Sequence, residues 1–146
     1  MANPHNWTEL ESTTTLATTA LNSQADEALV ACTQITVNDK LYGIVELVLA
    51  SIDLSAQTNP AAYLWWLLES DGTNTEDGSA SVTPAKPPDM IIPLRVVNGA
   101  QRVGMICAFP RLPPADFTPL IQNKSGAAWA ASGNTLKLTR FSTETN

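Results

Sequence analysis

Asn123-Lys-Ser-Gly-Ala-Ala-Trp-Ala-Ala-Ser-Gly-Asn134, running into Thr135-Leu-Lys-Leu-Thr-Arg-Phe141, is the stretch that decides the fold. Asn-Lys-Ser-Gly and Ser-Gly-Asn are turn chemistry, because Gly and Asn tolerate positive φ and Ser and Asn side chains bond back to nearby backbone. A short apolar patch around Trp129 separates the two turns. Beyond them Leu136 and Leu138 alternate with Lys137 and Thr139, the period of a strand with one face in a core. With residues 117–122 in front of it, this segment predicts a β-hairpin closing a β-sandwich.

Working outward, the same grammar recurs. Residues 90–97 and 101–109 form two more strand-like runs around Asn98-Gly99, the dipeptide that most favours a two-residue hairpin turn. In the second run Val103, Met105, Cys107 and Phe109 share one face, and Arg102, Gly104, Ile106 and Ala108 the other. Pro110, Pro113 and Pro114 end it. Residues 29–37 alternate imperfectly, Asn38-Asp39-Lys40 supplies a turn, and residues 41–54 form the longest strand-like run, so these two predict another hairpin. Both faces of residues 44–54 are largely apolar, as in a strand covered on both sides.

Ala61-Ala-Tyr-Leu-Trp-Trp-Leu-Leu68 is more apolar still. As a strand it sends Trp65 and Trp66 to opposite faces, and only one of them enters a single sandwich core. The other requires a cover, such as a neighbouring subunit. A helix over residues 61–69 is the alternative, though nothing caps it. Residues 12–21 are rich in Thr and favour extended chain up to Asn22-Ser23, with a short helical turn over residues 24–28 as an option. Between residues 69 and 89, Asp, Gly and Pro mark a long surface loop. Residues 1–12 lack periodicity and read as an N-terminal arm that orders against something else, leaving residues 13–146 as one β-sandwich domain. Seven or eight strands, no convincing long helix and no strand–helix alternation together predict an all-β fold, an antiparallel β-sandwich or jelly roll with an extended N-terminal arm.

Composition narrows the function. A chain of 146 residues, 44% of them apolar, is large enough for one core without disulfides or metals. Its apolar runs fall well short of the roughly 20 residues of a membrane-spanning helix. Eight basic against fourteen acidic side chains give a net charge of -6, which repels phosphate backbones and argues against nucleic acid as a partner. Met1-Ala-Asn-Pro-His5 shows neither the basic flank nor the apolar run of a secretory leader, so synthesis in a host cytoplasm is expected.

No catalytic apparatus is evident. The lone histidine, His5, sits in the arm without a scaffold beside it. Cys32 and Cys107 lie far apart in apolar contexts and read as buried thiols, and two Cys and one His at unrelated spacings do not make a zinc site. Asp71, Asn74, Glu76 and Asp77 offer oxygens of the kind calcium takes, but their spacing departs from a calcium loop and a solvated turn is expected. Glu46 and Asp53 fall on different faces of their strand and do not form a glycosidase pair. No phosphate-cradling glycine loop occurs, and no cofactor is expected. What remains is aromatic: Trp7, Trp65, Trp66 and Trp129 are the candidates for a protein interface, with Trp7 on the arm the strongest.

Several stretches, taken in order, resemble small virion proteins of tailed bacteriophages: Thr15-Leu-Ala-Thr-Thr-Ala-Leu-Asn-Ser23, Asp71-Gly-Thr-Asn-Thr-Glu-Asp-Gly78, Arg102-Val-Gly-Met-Ile-Cys-Ala-Phe-Pro110, Phe117-Thr-Pro-Leu-Ile-Gln-Asn123, Gly126 and Ala131-Ser-Gly-Asn134. The resemblance spans about residues 13–144 and rests on the order of common turn and strand motifs. It departs at Thr75, where the family carries an aromatic residue after the Asn. It implies a capsid decoration, or cement, protein: a jelly roll without catalytic residues that forms a homo-oligomer, a trimer in preference to a dimer, and binds major capsid protein on the outside of the shell. A phage tail or fibre module and a carbohydrate-binding β-sandwich are the other readings.

Overall fold

The computed structural model describes residues 5–7, 9–36, 40–107 and 112–145. Ten strands run β1 (His5–Trp7), β2 (Thr14–Ala17), β3 (Leu29–Ala31), β4 (Tyr42–Asp53), β5 (Ala61–Leu68), β6 (Met90–Pro93), β7 (Asn98–Cys107), β8 (Phe117–Lys124), β9 (Thr135–Phe141) and β10 (Thr143–Thr145). One sheet has the order β2-β9-β4-β7, the second β3-β8-β5-β6, and β1 pairs with β10 apart from both. The two larger sheets enclose one core, to which Val45, Leu47, Leu136 and Leu138 contribute from the first and Leu64, Trp66, Phe117 and Ile121 from the second.

The pairing is nested. β1 pairs with β10, β2 with β9, β3 with β8, β4 with β7 and β5 with β6, every pair antiparallel. The chain is thus one long hairpin, bent at the loop between β5 and β6 and rolled up, which is the connectivity of a jelly roll. Opposed connections follow the same rule. Ser23 N donates to Ala130 O at 2.9 Å, Leu112 N to Leu41 O at 2.9 Å, and Leu54 N to Val97 O at 3.1 Å, so each crossing segment bonds to its mirror image in the sequence.

This topology overturns the three expected hairpins. β8 and β9 lie in different sheets, and so do β3 and β4, and β6 and β7. The turn chemistry between them bends the chain from one sheet to the other instead of reversing it within a sheet. Asn98 and Gly99 already belong to β7, opposite Asp53 and Ile52, beside a register shift in β4. Gly99 has φ 138, a conformation that suits this irregularity as well as a turn. β3 is also shorter than expected, and the helical turn falls at Thr19–Leu21, not at residues 24–28. Residues 37–39 and 108–111, parts of an expected turn and strand end, lie outside the described residues.

Strand identity itself follows the alternation. β5 is a strand throughout, and β9 buries Leu136 and Leu138 while Lys137 and Thr139 face outward. β4 buries Val45, Leu47 and Leu49, but Ile44, Glu46 and Val48 are half-buried on the outer face. Among the described residues no third layer of strands covers that face. As a central strand, β4 is sheltered by side chains of β7 and β9 on either side, enough to favour Ile and Val there.

Candidate interaction surface

Three of the four expected interface aromatics are taken up by the protein's own interior. Trp66 and Trp129 are buried in the main core, with Trp66 edge-on to Phe117 at 5.3 Å between ring centroids. Trp65 points to the opposite face of β5, as alternation requires, yet is 2% exposed. It packs with Leu67 and Leu120 in a second small cluster, flanked by Leu29 and Tyr63. Its cover is the loop between β5 and β6, because Trp65 Nε1 donates to Lys86 O at 3.1 Å. The expectation of a neighbouring subunit over this tryptophan is therefore corrected: the 20-odd residues spent on that loop supply the cover. The side chain of Trp7 and the whole of its expected contact lie outside the described residues, although the backbone of residues 5–7 pairs with residues 143–145 of the same chain. Behind β1, the Glu11 carboxylate meets Arg140 Nε at 2.9 Å and draws the arm along β9.

The loop does more than cover. β6 pairs with β5 only from Ala61 to Leu64, so among the described residues no strand lies on that side of residues 65–68. Side chains take the strand's place. Asp89 accepts from Trp66 N at 2.8 Å, Lys86 Nζ donates to Trp66 O at 2.9 Å, and Glu76 accepts from Leu68 N at 3.2 Å and from Lys86 Nζ at 2.6 Å. Glu76 N donates to Leu68 O at 2.8 Å and completes the set. The hydrogen bond from Lys86 is the main reason the Glu76 carboxyl is held below its usual range, with burial opposing.

The remaining acidic residues of this loop do not converge. Asp71 turns its carboxylate onto Thr73 N, Asn74 N and Asn74 Nδ2 at 2.9, 2.7 and 2.8 Å, which holds its pKa down to about 2. That is a self-satisfied turn. Among the described residues no group of three or more His, Cys, Asp or Glu is placed to hold a metal ion. A shallow cavity of about 320 Å³ lies against Glu76, Asp77, Ala85 and Lys86, lined by the loop's own ion pair. Burial pushes the Cys32 thiol up to about 12 and the Cys107 thiol up to about 11. Neither thiol is primed as a nucleophile. Glu46, weighed as a glycosidase carboxylate, is paired with Arg102 at 2.6 Å.

The sequence singled out residues 123–134 as turns, and the structure gives two of them a stronger role. Asn123 Nδ2 faces Gln24 O, Ala25 O and Ala127 O at 3.0, 3.1 and 2.8 Å, while its Oδ1 accepts from Ser125 N and Oγ. Asn134 Nδ2 faces Leu21 O, Asn22 Oδ1 and Ala130 O at 3.2, 3.2 and 2.7 Å, and its Oδ1 accepts from Ala50 N at 3.2 Å. Both are 1% exposed. They fasten the crossing segment before β3 to the one after β8.

Among the described residues, four of the seven exposed large apolar side chains lie on the flank formed by the edge strands β6 and β7 and the crossing between them. Ile91 on β6, Val96 and Val97 in the crossing, and Ile106 on β7 are 51%, 50%, 38% and 65% exposed. β6 and β7 are the edge strands of their sheets. Arg95 and Arg102 belong to the same stretch, two of eight cations in a chain of net charge -6. Turn and strand patterning gave no signal for this flank, because no local pattern tells an edge strand from a central one.

No family model matches this chain, and no curated protein or solved structure does either.

Proposed function

We propose that this chain is a structural protein of a tailed-bacteriophage virion that decorates the outer capsid surface, binding major capsid protein and reinforcing the shell. It acts by adhesion, as a homo-oligomer, without catalysis, cofactor or nucleic acid. Three things support this reading. The ordered motifs from Thr15 to Asn134 resemble those of such proteins. A jelly roll pinned by buried asparagines, with its long loop tied to β5 by hydrogen bonds and an ion pair, suits a load-bearing role. The observation that carries most weight is the group Ile91, Val96 and Val97, exposed apolar side chains on β6 and the crossing after it, with Arg95 among them, on an otherwise acidic protein. Several copies of such a flank, held in one oligomer, turn weak contacts into firm attachment.

Burial of Trp65, Trp66 and Trp129 removes the exposed tryptophans on which a carbohydrate-binding reading leaned. The test is reconstitution: purified protein is mixed with expanded heads of the phage that encodes it, prepared without it, and pelleted. Saturable binding in fixed ratio to major capsid protein, reduced by Val96→Asp or Ile91→Asp, is expected. Binding to tails and not to heads would overturn the proposal.

A further inference from the structure

Four strands border the two sheets, and three of them are blunted. β2 is four residues long with a register shift between Thr15 and Ala17, β3 has three residues, and β6 has four and ends in Pro93. β7 has ten residues, no proline, and pairs on one side only among the described residues. Long bare edges of this kind are what folded proteins ordinarily avoid, because they template pairing with another strand.

The direction of its free groups can be read from β4. Ala50 N donates to Asn134 Oδ1, on the β9 side. Backbone groups alternate along a strand, so Val48, Glu46 and Ile44 also face β9, while Leu49, Leu47 and Val45 face β7. Their partners on β7 are Gln101, Val103 and Met105. Arg102, Gly104 and Ile106 therefore turn their N–H and C=O groups outward, to the bare edge.

We propose that β7 is a self-association edge, pairing antiparallel with β7 of a second copy about a two-fold axis at Gly104. A two-fold axis perpendicular to the sheet keeps inward side chains inward, so a residue at the axis must meet its own copy. Centred on Arg102 or Val103, the two guanidinium groups would meet face to face or diagonally. Centred on Gly104 they stand well apart, each opposite Ile106 of the other copy, and all three outward-facing residues pair, giving about six new backbone hydrogen bonds. Gly104 presents no side chain at the axis, where the two copies meet themselves. Val103 and Met105, only partly buried against the core, come opposite each other across the seam and gain cover. Ile106, 65% exposed, is covered by the stem of the opposing Arg102.

The contact is isologous, so it makes dimers; a trimer needs a different, head-to-tail surface. It stands whether or not the protein binds a shell, and it is tested without one. The full chain is examined by sedimentation velocity over a wide concentration range, together with amide hydrogen exchange. A species of twice the chain mass is expected, with the amides of Arg102, Gly104 and Ile106 protected as it forms. In Gly104→Lys the new Cβ meets nothing within 4 Å in the single chain, so the fold is kept while two like charges are set opposite each other at the axis. That variant is expected to dimerise at least tenfold more weakly, with the three amides exposed and thermal stability at low concentration unchanged. Gly104→Pro, which removes only an outward donor, is expected to act likewise. A wild-type chain that stays monomeric, a three-fold species, or a dimer indifferent to both variants overturns the proposal.

Discussion

Trp65 and Lys86 are joined by the indole Nε1, which donates to the Lys86 carbonyl at 3.1 Å, while the Lys86 ammonium donates to the carbonyl of the adjacent Trp66 at 2.9 Å. One residue of the long loop thus holds both the outer face and the open edge of β5. Lys86→Met removes the ammonium from Trp66 O, Glu76 and Asp89 together and leaves a buried strand carbonyl unanswered. The side chain is 34% exposed, which limits the loss. A destabilisation of about 1–2 kcal/mol is expected, measured by urea unfolding, with faster hydrogen exchange across residues 70–88. An unchanged exchange pattern would show that the loop is held by other means.

The same network gives the loop a pH dependence. The Glu76 carboxyl lies below its ordinary 4.5, chiefly through the bond from Lys86. A group with a depressed folded pKa contributes stability that is present above its unfolded value and lost as pH falls through the folded one. The loop is therefore firm above pH 4.5 and loosens on acidification, whereas the Asp71 turn, held at about 2, persists further down. In an NMR titration the Leu68 amide and the Trp65 indole proton are expected to move together with a midpoint below 4.5, and to stay flat in Glu76→Gln. A Trp65 signal that ignores pH in the wild type would separate the tryptophan from the network.

The strands were legible in the sequence and their partners were not. Leu136 and Leu138 against Lys137 and Thr139, or Trp65 against Trp66, are period-2 patterns that any short window contains. Asn98-Gly99 reports only that the backbone bends there; a hairpin turn and a crossing between sheets use the same permissive residues, and the choice was made by β4, whose Asp53 and Ile52 pair with those very positions. The cover over Trp65 lies 21 residues away in the sequence, so alternation could say that a cover was needed but not which segment provides it. The alternation groups Ile106 with Arg102 and Gly104 on one face of its strand, yet the exposure of Ile106 depends on β7 being an edge, a property of the whole topology.

Gly133 and Gly104 offer a contrast that follows from this geometry. Gly133 has φ +82, and a Cβ there would lie 2.8 Å from the Ala50 Cβ, a rigid neighbour. Gly133→Ala combines backbone strain with a clash and is expected to cost about 1–3 kcal/mol. Gly104→Ala meets open space and is expected to change monomer stability by less than about 0.5 kcal/mol. Paired urea titrations at low protein concentration decide it; equal effects would mean that the crossing near Asn134 is looser than its hydrogen bonds indicate.

Asn123 is the most demanding position in the stretch from Asn123 to Asn134. Its amide nitrogen faces three carbonyl oxygens and its oxygen accepts from the amide and hydroxyl of Ser125, all at 1% exposure. Asn123→Ala strips partners from Gln24 O, Ala25 O and Ala127 O at once, and a loss of about 3 kcal/mol or more is expected, since a buried acceptor left without a donor costs about 1–3 kcal/mol. Asn123→Asp is the sharper experiment. It keeps the shape and both Ser125 bonds but turns a carboxylate oxygen toward three carbonyls, so near neutral pH it is expected to destabilise at least as much as Ala. Its stability should recover as the pH is lowered, because burial and the facing oxygens raise the folded pKa of the new carboxyl and protonation restores one donor. That recovery is opposite in sign to the acid loosening of the Glu76 network. Measured as thermal midpoints of wild type and Asn123→Asp between acid and neutral pH, the gap should narrow toward acid; a constant gap would mean that the crossing segments rearrange around the charge instead of holding it.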